Sequence, residues 1–473
     1  MFDRMRAITR KQVQRIHDAS MNLLETTGIR FNHPEALEIF KQHGIKVDGN
    51  VAFLKEDDVL KALETAPQQF VIHARRPAND IVVGNGHLAL APGYGAPYIM
   101  SLDGSRRKGL TADYINFCKL VQTSDHLDVN GYCMIEPADV PSESAHLDML
   151  FSNIVYCNKP FMGSPGDRQS AIDAIEMASI AWGGKENIRN KPVMISNINS
   201  LSPLQFSGEM AASLIEFARY GQPCVIAVLI IAGLTGPVTM AGALTIQNAE
   251  ILAGITLAQL VNPGNPVVYG STSLPMDMLS GVISIGAPEL SQFVSATAQL
   301  ARFYRIPSRS GGSLTDAHFP DIQAGMESAL ILAAAVRSGI NFVLHSCGIL
   351  GSYLAMSYEK FIIDEELCGM FKKLLEPIEV TGDTISLDTI KDVGIGGLYV
   401  THDKTLQRCR TEYFLPKIAI RQTYDDWVDN GMLRADQRAT KLMQQRLESY
   451  VKPDIDPAIE RGLADYVKLR KRD

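Results

Sequence analysis

Three polar clusters follow one another closely in this chain: Ser310-Gly311-Gly312-Ser313-Leu314-Thr315-Asp316, Leu344-His345-Ser346-Cys347-Gly348 and Tyr358-Glu359-Lys360-Phe361. The first two directly succeed short apolar runs. An α/β barrel presents chemistry in that order, with polar or glycine-rich turns at the carboxyl ends of its strands. His345 and Cys347 share one strand face. Side by side they diverge, and no third group orients them, so they do not read as a nucleophilic pair. A further segment, Gly93-Tyr94-Gly95-Ala96-Pro97-Tyr98, sets two tyrosines among small residues. Aromatic faces within about 6 Å attract a quaternary ammonium by about 0.5–2 kcal/mol each. The same rings, as strand residues, would equally pack one layer on another. No Cys-x-x-Cys or His-x-x-x-His spacing occurs, and a tightly bound catalytic metal is not expected.

The elements that must position these groups follow from the apolar periodicity. Residues 8–66 have helical spacing and read as a cap, and residues 70–100 read as short strands of a small antiparallel sheet. After Thr111 short apolar strands alternate with longer amphipathic helices, which requires parallel strands with crossover helices. Candidate strands cover 129–135, 160–163, 192–197, 224–229, 266–270, 307–310, 342–345 and a fainter 393–399. Pro160, Pro192, Pro223, Pro266 and Pro307 stand at or just before strand starts, where proline is tolerated.

Eight such units predict an α/β fold of the closed (β/α)8 TIM-barrel type, whereas an open doubly wound sheet would carry a glycine fingerprint that is absent. The expected domains are a helical cap with a small β extension over 1–110, the barrel over 111–433 and a helical tail over 434–473. Strand ends would then deliver Glu136, Ser164, Asp167, Asn197, Asn199, Tyr269, Ser271, Thr272, Arg309 to Asp316, and His345 to Cys347 into one mouth.

Composition bounds the function. The 473 residues carry a net charge of -7, which argues against sequence-independent nucleic-acid binding, and the basic ends read as solvated helix faces. Seven scattered cysteines read as reduced, mostly buried thiols. The start has no apolar signal core, and the strongest apolar run, 224–232, is far short of the ~20 residues a membrane helix needs. A soluble, cytoplasmic protein without nucleic-acid or membrane partners is expected.

Several motifs, taken in order, resemble the trimethylamine methyltransferase family: Ile16-His17-Asp18-Ala19-Ser20, Gly233 through Gly236-Pro237-Val238-Thr239 to Asn248-Ala249-Glu250, Gln259-x-x-Asn262-Pro263-Gly264-x-Pro266, Tyr269-Gly270-Ser271, Asp321-x-Gln323-Ala324-Gly325 and Glu359-Lys360-Phe361. The resemblance spans nearly the whole chain. It implies a barrel that moves a methyl group from a methylated amine to the Co(I) centre of cobalamin carried by a separate corrinoid protein, with no tightly bound cofactor of its own. Some members carry pyrrolysine at the mouth, near what would be Gly311 to Ser313. Every residue here is one of the standard twenty, so the chain is similar to the non-pyrrolysine branch, which includes methyltransferases for glycine betaine and related quaternary amines.

On that reading Tyr94, Tyr98, Tyr269 and Tyr353 are candidates for a cation cage. Glu359 or Glu136 would add negative charge. Arg309 and His345 would face a substrate carboxylate, Gly312 and Ser313 would line the binding loop, and His345 and Glu359 stand as the candidate catalytic pair. The Asp364-Glu365-Glu366 run reads as solvent-facing, and a homo-oligomer is expected. Two alternatives differ in class. A zinc-dependent methyltransferase would need Cys or His ligands at a spacing not found, and a non-catalytic barrel would bind a corrinoid protein without turnover.

Overall fold

The computed structural model describes residues 4–472. Short runs rich in Val, Ile and Phe form strands buried on both faces, as parallel strands under a helical layer must be. Seven pair in the order Ala89–Leu90, Phe342–Leu344, Ser308–Gly311, Val267–Ser271, Cys224–Val228, Met194–Asn199 and Phe161–Met162, and the neighbouring pairs are parallel. Residues 128–130 shut the ring. The Asn130 N–H donates to Pro160 O at 2.8 Å and the Met162 N–H to Asn130 O at 3.0 Å, while on the other side the Asp128 N–H donates to Leu90 O at 2.9 Å. The barrel thus closes with eight staves, and helices surround it.

The eighth stave corrects the sequence reading. Residues 393–399 form no strand: Gly394 and Gly396 take positive φ, and Ile395 is fully exposed. Ala89–Leu90 supplies the stave instead, so the barrel takes one strand from within the segment assigned to the N-terminal extension. A two-residue strand carries too little period to reveal which sheet it joins. The stave expected at 129–135 is likewise shorter: Asn130 pairs with Phe161 in the barrel, whereas Ile135 bridges Ala96 outside it.

Packing makes the two ends of the barrel unlike. The antiparallel hairpin Gln69–Ile72 with Ile81–Gly84 brings Phe70, Ile72 and Val83 onto Val129, Met162, Ile195, Val225, Val268 and Phe342 inside the barrel. The His73 N–H donates to Pro192 O at 2.8 Å, just ahead of a strand start, so the hairpin plugs the amino end. Helices Arg10–Thr26, Pro34–Gln42 and Glu56–Thr65 pack on the long Met240–Val261 helix. Among the described residues that long helix alone is apolar enough to cross a membrane, yet it is a core helix, with its apolar window 78% buried. Near the C-terminus Ala435–Glu448 packs on Tyr358–Leu375, and Pro457–Arg470 packs on Arg168–Ala181.

Candidate active site

Strand parity decides what enters the mouth. Val268, Phe342 and Leu344 face the barrel interior. Gly270 is opposite Arg309, and Arg309 is opposite Phe342, so Arg309 points inward with them. It is 1% exposed, and its Nη1 donates to the backbone oxygen of Ser271 at 2.8 Å. The Nε has no partner, and no carboxylate pairs with the guanidinium among the described residues. Burial lowers its pKa to about 10, with the nearby Tyr353 and Tyr94 hydroxyls opposing the shift, so it stays charged at neutral pH.

Around Arg309 stands an arc of rings. The His345 ring lies 4.9 Å from Tyr353 and meets Tyr94 edge-on at 6.3 Å, and Tyr94 lies 6.2 Å from Tyr132. Tyr94 and Tyr132 pack on the interior residues from above. The loop after Phe342–Leu344 that carries two of the rings is bent: His345 and Tyr353 hold φ of 60° and 74°. Non-glycine residues in that region cost about 1–3 kcal/mol and persist where surrounding structure holds them. Asp316 helps to hold them here. Its carboxylate accepts from the N–H groups of Ile285 and Gly286, both at 2.9 Å, and from the Ser352 hydroxyl at 2.6 Å, which ties three mouth loops together.

The electrostatics assign His345 a neutral role. Burial, then the Arg309 charge, drives its pKa well below the usual value, so the ring is uncharged at pH 7 and its Nδ1 has no partner. Of the two residues expected to face a substrate carboxylate, Arg309 therefore brings the charge and His345 a neutral imidazole. Two further unpartnered atoms lie at the carboxyl ends of the strands: Asn197 Oδ1, which shares the inward face of Val225, and the buried Ser313 Oγ. Unsatisfied buried polar atoms are rare, and several at one mouth mark a place for a ligand or for water.

Other expected residues lie elsewhere. Tyr269 is one position out of phase with Arg309 and points outward, its hydroxyl donating to Asn248 Oδ1 at 2.8 Å beneath the helices. The Tyr98 ring is covered by the Arg106 guanidinium at 4.3 Å, within the pairing of Tyr98–Met100 with Arg106–Lys108. Glu359 accepts from the hydroxyls of Ser357 at 3.2 Å and Thr440 at 3.1 Å, in the seam between two helices. Gly312 serves packing: a Cβ there would meet Val343 Cγ1 at 2.8 Å and the Ser346 Cα at 3.0 Å. Glu136 is exposed at the rim, close enough to influence Tyr94 and Tyr132. Cys347 is buried 3.9 Å from Cys368, and burial raises its thiol pKa, so it is no nucleophile.

The acidic run is also corrected. Asp364, Glu365 and Glu366 are buried. Asp364 pairs with Lys360 at 2.6 Å, Glu365 with Arg446 at 2.5 Å, and Glu366 accepts the backbone N–H groups of Lys417, Ile418 and Ala419. Sequence reasoning placed Asp316 at the mouth but missed Tyr132. The signal for Tyr132 was its place just past the stave at Asn130, obscured by extending that strand to 135. No group of three or more His, Cys, Asp or Glu among the described residues is placed to hold a metal ion.

With this geometry established, comparisons place the chain. The family model for trimethylamine methyltransferase (MTTB) matches residues 1–473. The chain is 46% identical over 466 residues to a glycine betaine methyltransferase of Desulfitobacterium hafniense strain Y51, covering 98% of this chain and 97% of that one. It is 35% identical over 461 residues to a proline betaine:corrinoid methyltransferase of Eubacterium limosum, covering 95% and 94%. The solved monomethylamine methyltransferase (MtmB) of Methanosarcina barkeri shares the fold at 11% identity, with a TM-score of 0.51 over 94% of this chain and 100% of that one. Matched along its whole length and folded as a barrel with a polar, aromatic-lined mouth, the chain belongs to the trimethylamine methyltransferase family.

Proposed function

We propose that this protein transfers a methyl group from glycine betaine to the Co(I) of a corrinoid protein and releases dimethylglycine. One observation carries the reading: a buried, charged Arg309 without an acidic partner lies beneath an arc formed by Tyr94, Tyr132, His345 and Tyr353. A betaine has matching ends, a permanent cation for the ring faces and a carboxylate for the guanidinium. A relative named for glycine betaine and another for proline betaine support the same class.

The chemistry fits a site poor in acids and bases. The methyl carbon–nitrogen bond breaks, its electron pair stays on nitrogen, and the new bond to the methyl carbon uses the cobalt's electron pair. A quaternary nitrogen leaves as a neutral amine with no proton transferred, so no general base is required. A tertiary amine must first be protonated or captured. What this chain supplies is placement: the rings fix the cationic head, Arg309 fixes the carboxylate, and the departing methyl faces the open end. The corrinoid carrier is thus a second substrate that must reach the mouth. Leu234, Val238, Met278, Leu279 and Val282, exposed on loops that follow the barrel strands, offer it an apolar landing.

Visible spectroscopy of reduced corrinoid under oxygen-free conditions tests the proposal. Glycine betaine should consume the Co(I) absorbance and yield dimethylglycine, with trimethylamine inert. Turnover with trimethylamine and with no betaine would overturn it, and proline betaine, carnitine and choline measured alongside define the substrate range.

A further inference from the structure

Cations open the helix Arg10–Thr26. Its first turn carries Arg10 and Lys11 and no acidic residue, although the amino end of a helix favours anions and disfavours cations. Just ahead of it, Arg4 and Arg6 lie on a segment that runs along the amino end of the barrel. That segment is pinned in place: the Met5 N–H donates to Arg337 O at 2.9 Å, and the Ala7 and Ile8 N–H groups donate to Gln299 Oε1 at 2.7 and 3.0 Å. It therefore holds its arginines against Arg302 and Arg305, which stand at the end of the helix Pro288–Phe303 and precede the stave Ser308–Gly311.

These five arginines surround two cavities that share a wall. One, of about 760 Å³, is lined by Arg6, Arg10, Arg302 and Arg305 with Phe303 among them. The other, of about 490 Å³, is lined by Arg4, Arg302 and Arg305 and adjoins the Gly339 turn. Neither lining contains a carboxylate, and none of the five arginines pairs with one among the described residues. Elsewhere Arg168, Arg446 and Arg470 each meet an acid, and the whole chain carries a net charge of -7, so a cluster of one sign does not follow from composition. Arg302 feels the crowding. Its Nη1 donates to Ser338 O, and burial together with the charges of Arg4 and Arg6 lowers its pKa to about 10. Arg305 holds a φ of 59°, at the left-handed position just past a helix that glycine fills most cheaply, whereas the helix Ile322–Ser338 ends on Gly339 at 76°. Like charges gathered at a helix amino end repel one another, and a bound anion removes that repulsion. The guanidinium fork matches phosphate oxygens two at a time, and cavities of this size take small molecules. Two adjoining cavities joined by shared arginines suit more than one phosphoryl group.

We propose that this arginine cluster, at the end of the barrel opposite the mouth, binds a small molecule carrying a diphosphate or triphosphate group. The inference is independent of the methyltransfer reading, and its test uses neither amine nor corrinoid carrier. Calorimetry of the full chain with pyrophosphate and with ATP should show one site, with orthophosphate and sulfate each at least roughly tenfold weaker. Arg6→Gln with Arg305→Gln should raise the Kd for pyrophosphate roughly a hundredfold, since each hydrogen bond to a charged group is worth about tenfold or more. Both side chains are exposed, and circular dichroism matching the unsubstituted chain separates lost binding from lost folding. Arg461→Gln, on the helix Pro457–Arg470, should leave the Kd unchanged. A second measurement avoids substitution: pyrophosphate should slow amide exchange at Met5, Ala7 and Ile8 and leave the mouth loop around His345 and Tyr353 unaltered. Failure of both pyrophosphate and ATP to bind, sulfate binding as tightly as pyrophosphate, or a double variant that binds undiminished would each overturn the proposal. So would sedimentation of the chain with phosphatidylglycerol vesicles when neither soluble phosphate binds.

Discussion

Arg309 holds its charge inside the barrel mouth with one backbone carbonyl as its partner, while His345 beside it is neutral. If the guanidinium receives the substrate carboxylate, Arg309→Gln should weaken glycine betaine binding by about 1.5–3 kcal/mol, the usual worth of a hydrogen bond to a charged group. Choline, with the same cationic head and a hydroxyl in place of the carboxylate, should lose little, and calorimetry on both ligands checks this. Equal losses would mean that the barrel itself is disturbed. Tyr94→Ala and Tyr353→Ala should each cost about 0.5–2 kcal/mol in binding, with Phe retaining most of it and Tyr98→Ala changing nothing. The pH dependence carries its own sign. His345 has a lowered pKa in the folded state, so below pH 6.5 the unfolded chain takes up a proton that the folded chain refuses. Its contribution to stability is therefore complete above that pH and falls as the solution is acidified, which urea titrations at a series of pH values will read.

At the scale of elements, the Tyr358–Leu375 helix shows why local sequence misleads. Its acidic run looks like a solvated face, but the partners Arg446 and the backbone of 417–419 arrive from far along the chain. Lys360, one turn before Asp364, donates to that carboxylate and to the Ser328 hydroxyl at 2.8 Å, and Asp364 also accepts the Gly348 N–H at 2.9 Å. Burial raises the Asp364 pKa to about 6 despite the lysine, a sign of how little water reaches the pair. Lys360→Met should destabilise the fold by about 3–5 kcal/mol by leaving a buried carboxylate unpaired. Replacing both partners, Lys360→Met with Asp364→Leu, should recover most of the loss. Denaturant midpoints of the two variants check the difference.

For the whole molecule, the barrel separates two surfaces. Leu279 and its neighbours rim the mouth, whereas the arginine cluster lies at the plugged end. Leu279→Lys should then lower kcat/KM for the corrinoid protein by roughly tenfold while betaine affinity stays unchanged. Single-turnover kinetics with varied carrier checks this, and a change in betaine affinity would place Leu279 in the amine site instead.

Much of this architecture was legible in the sequence. Apolar runs, five of them opened by proline, alternating with amphipathic helices specify seven of the staves within a few residues, because a strand buried on both faces needs a continuous apolar run and its crossover needs a helix. The ordered motifs pointed to the family, and the clusters after those runs located Arg309, His345 and, through its glycine-framed segment, Tyr94. Four matters waited for the tertiary structure. Parallel register sent Arg309 inward and Tyr269 outward, since side chains alternate faces and a single residue of phase reverses the destination. The last stave is two residues long, too short to hold a period. The neutrality of His345 follows from burial and from a cation on the neighbouring strand. Tyr98 and Glu359 were engaged by Arg106 and Thr440, partners that only the folded chain brings near. Periodicity and turn chemistry are local and can be read along the chain, whereas the facing of a side chain and its protonation state depend on neighbours that folding alone supplies.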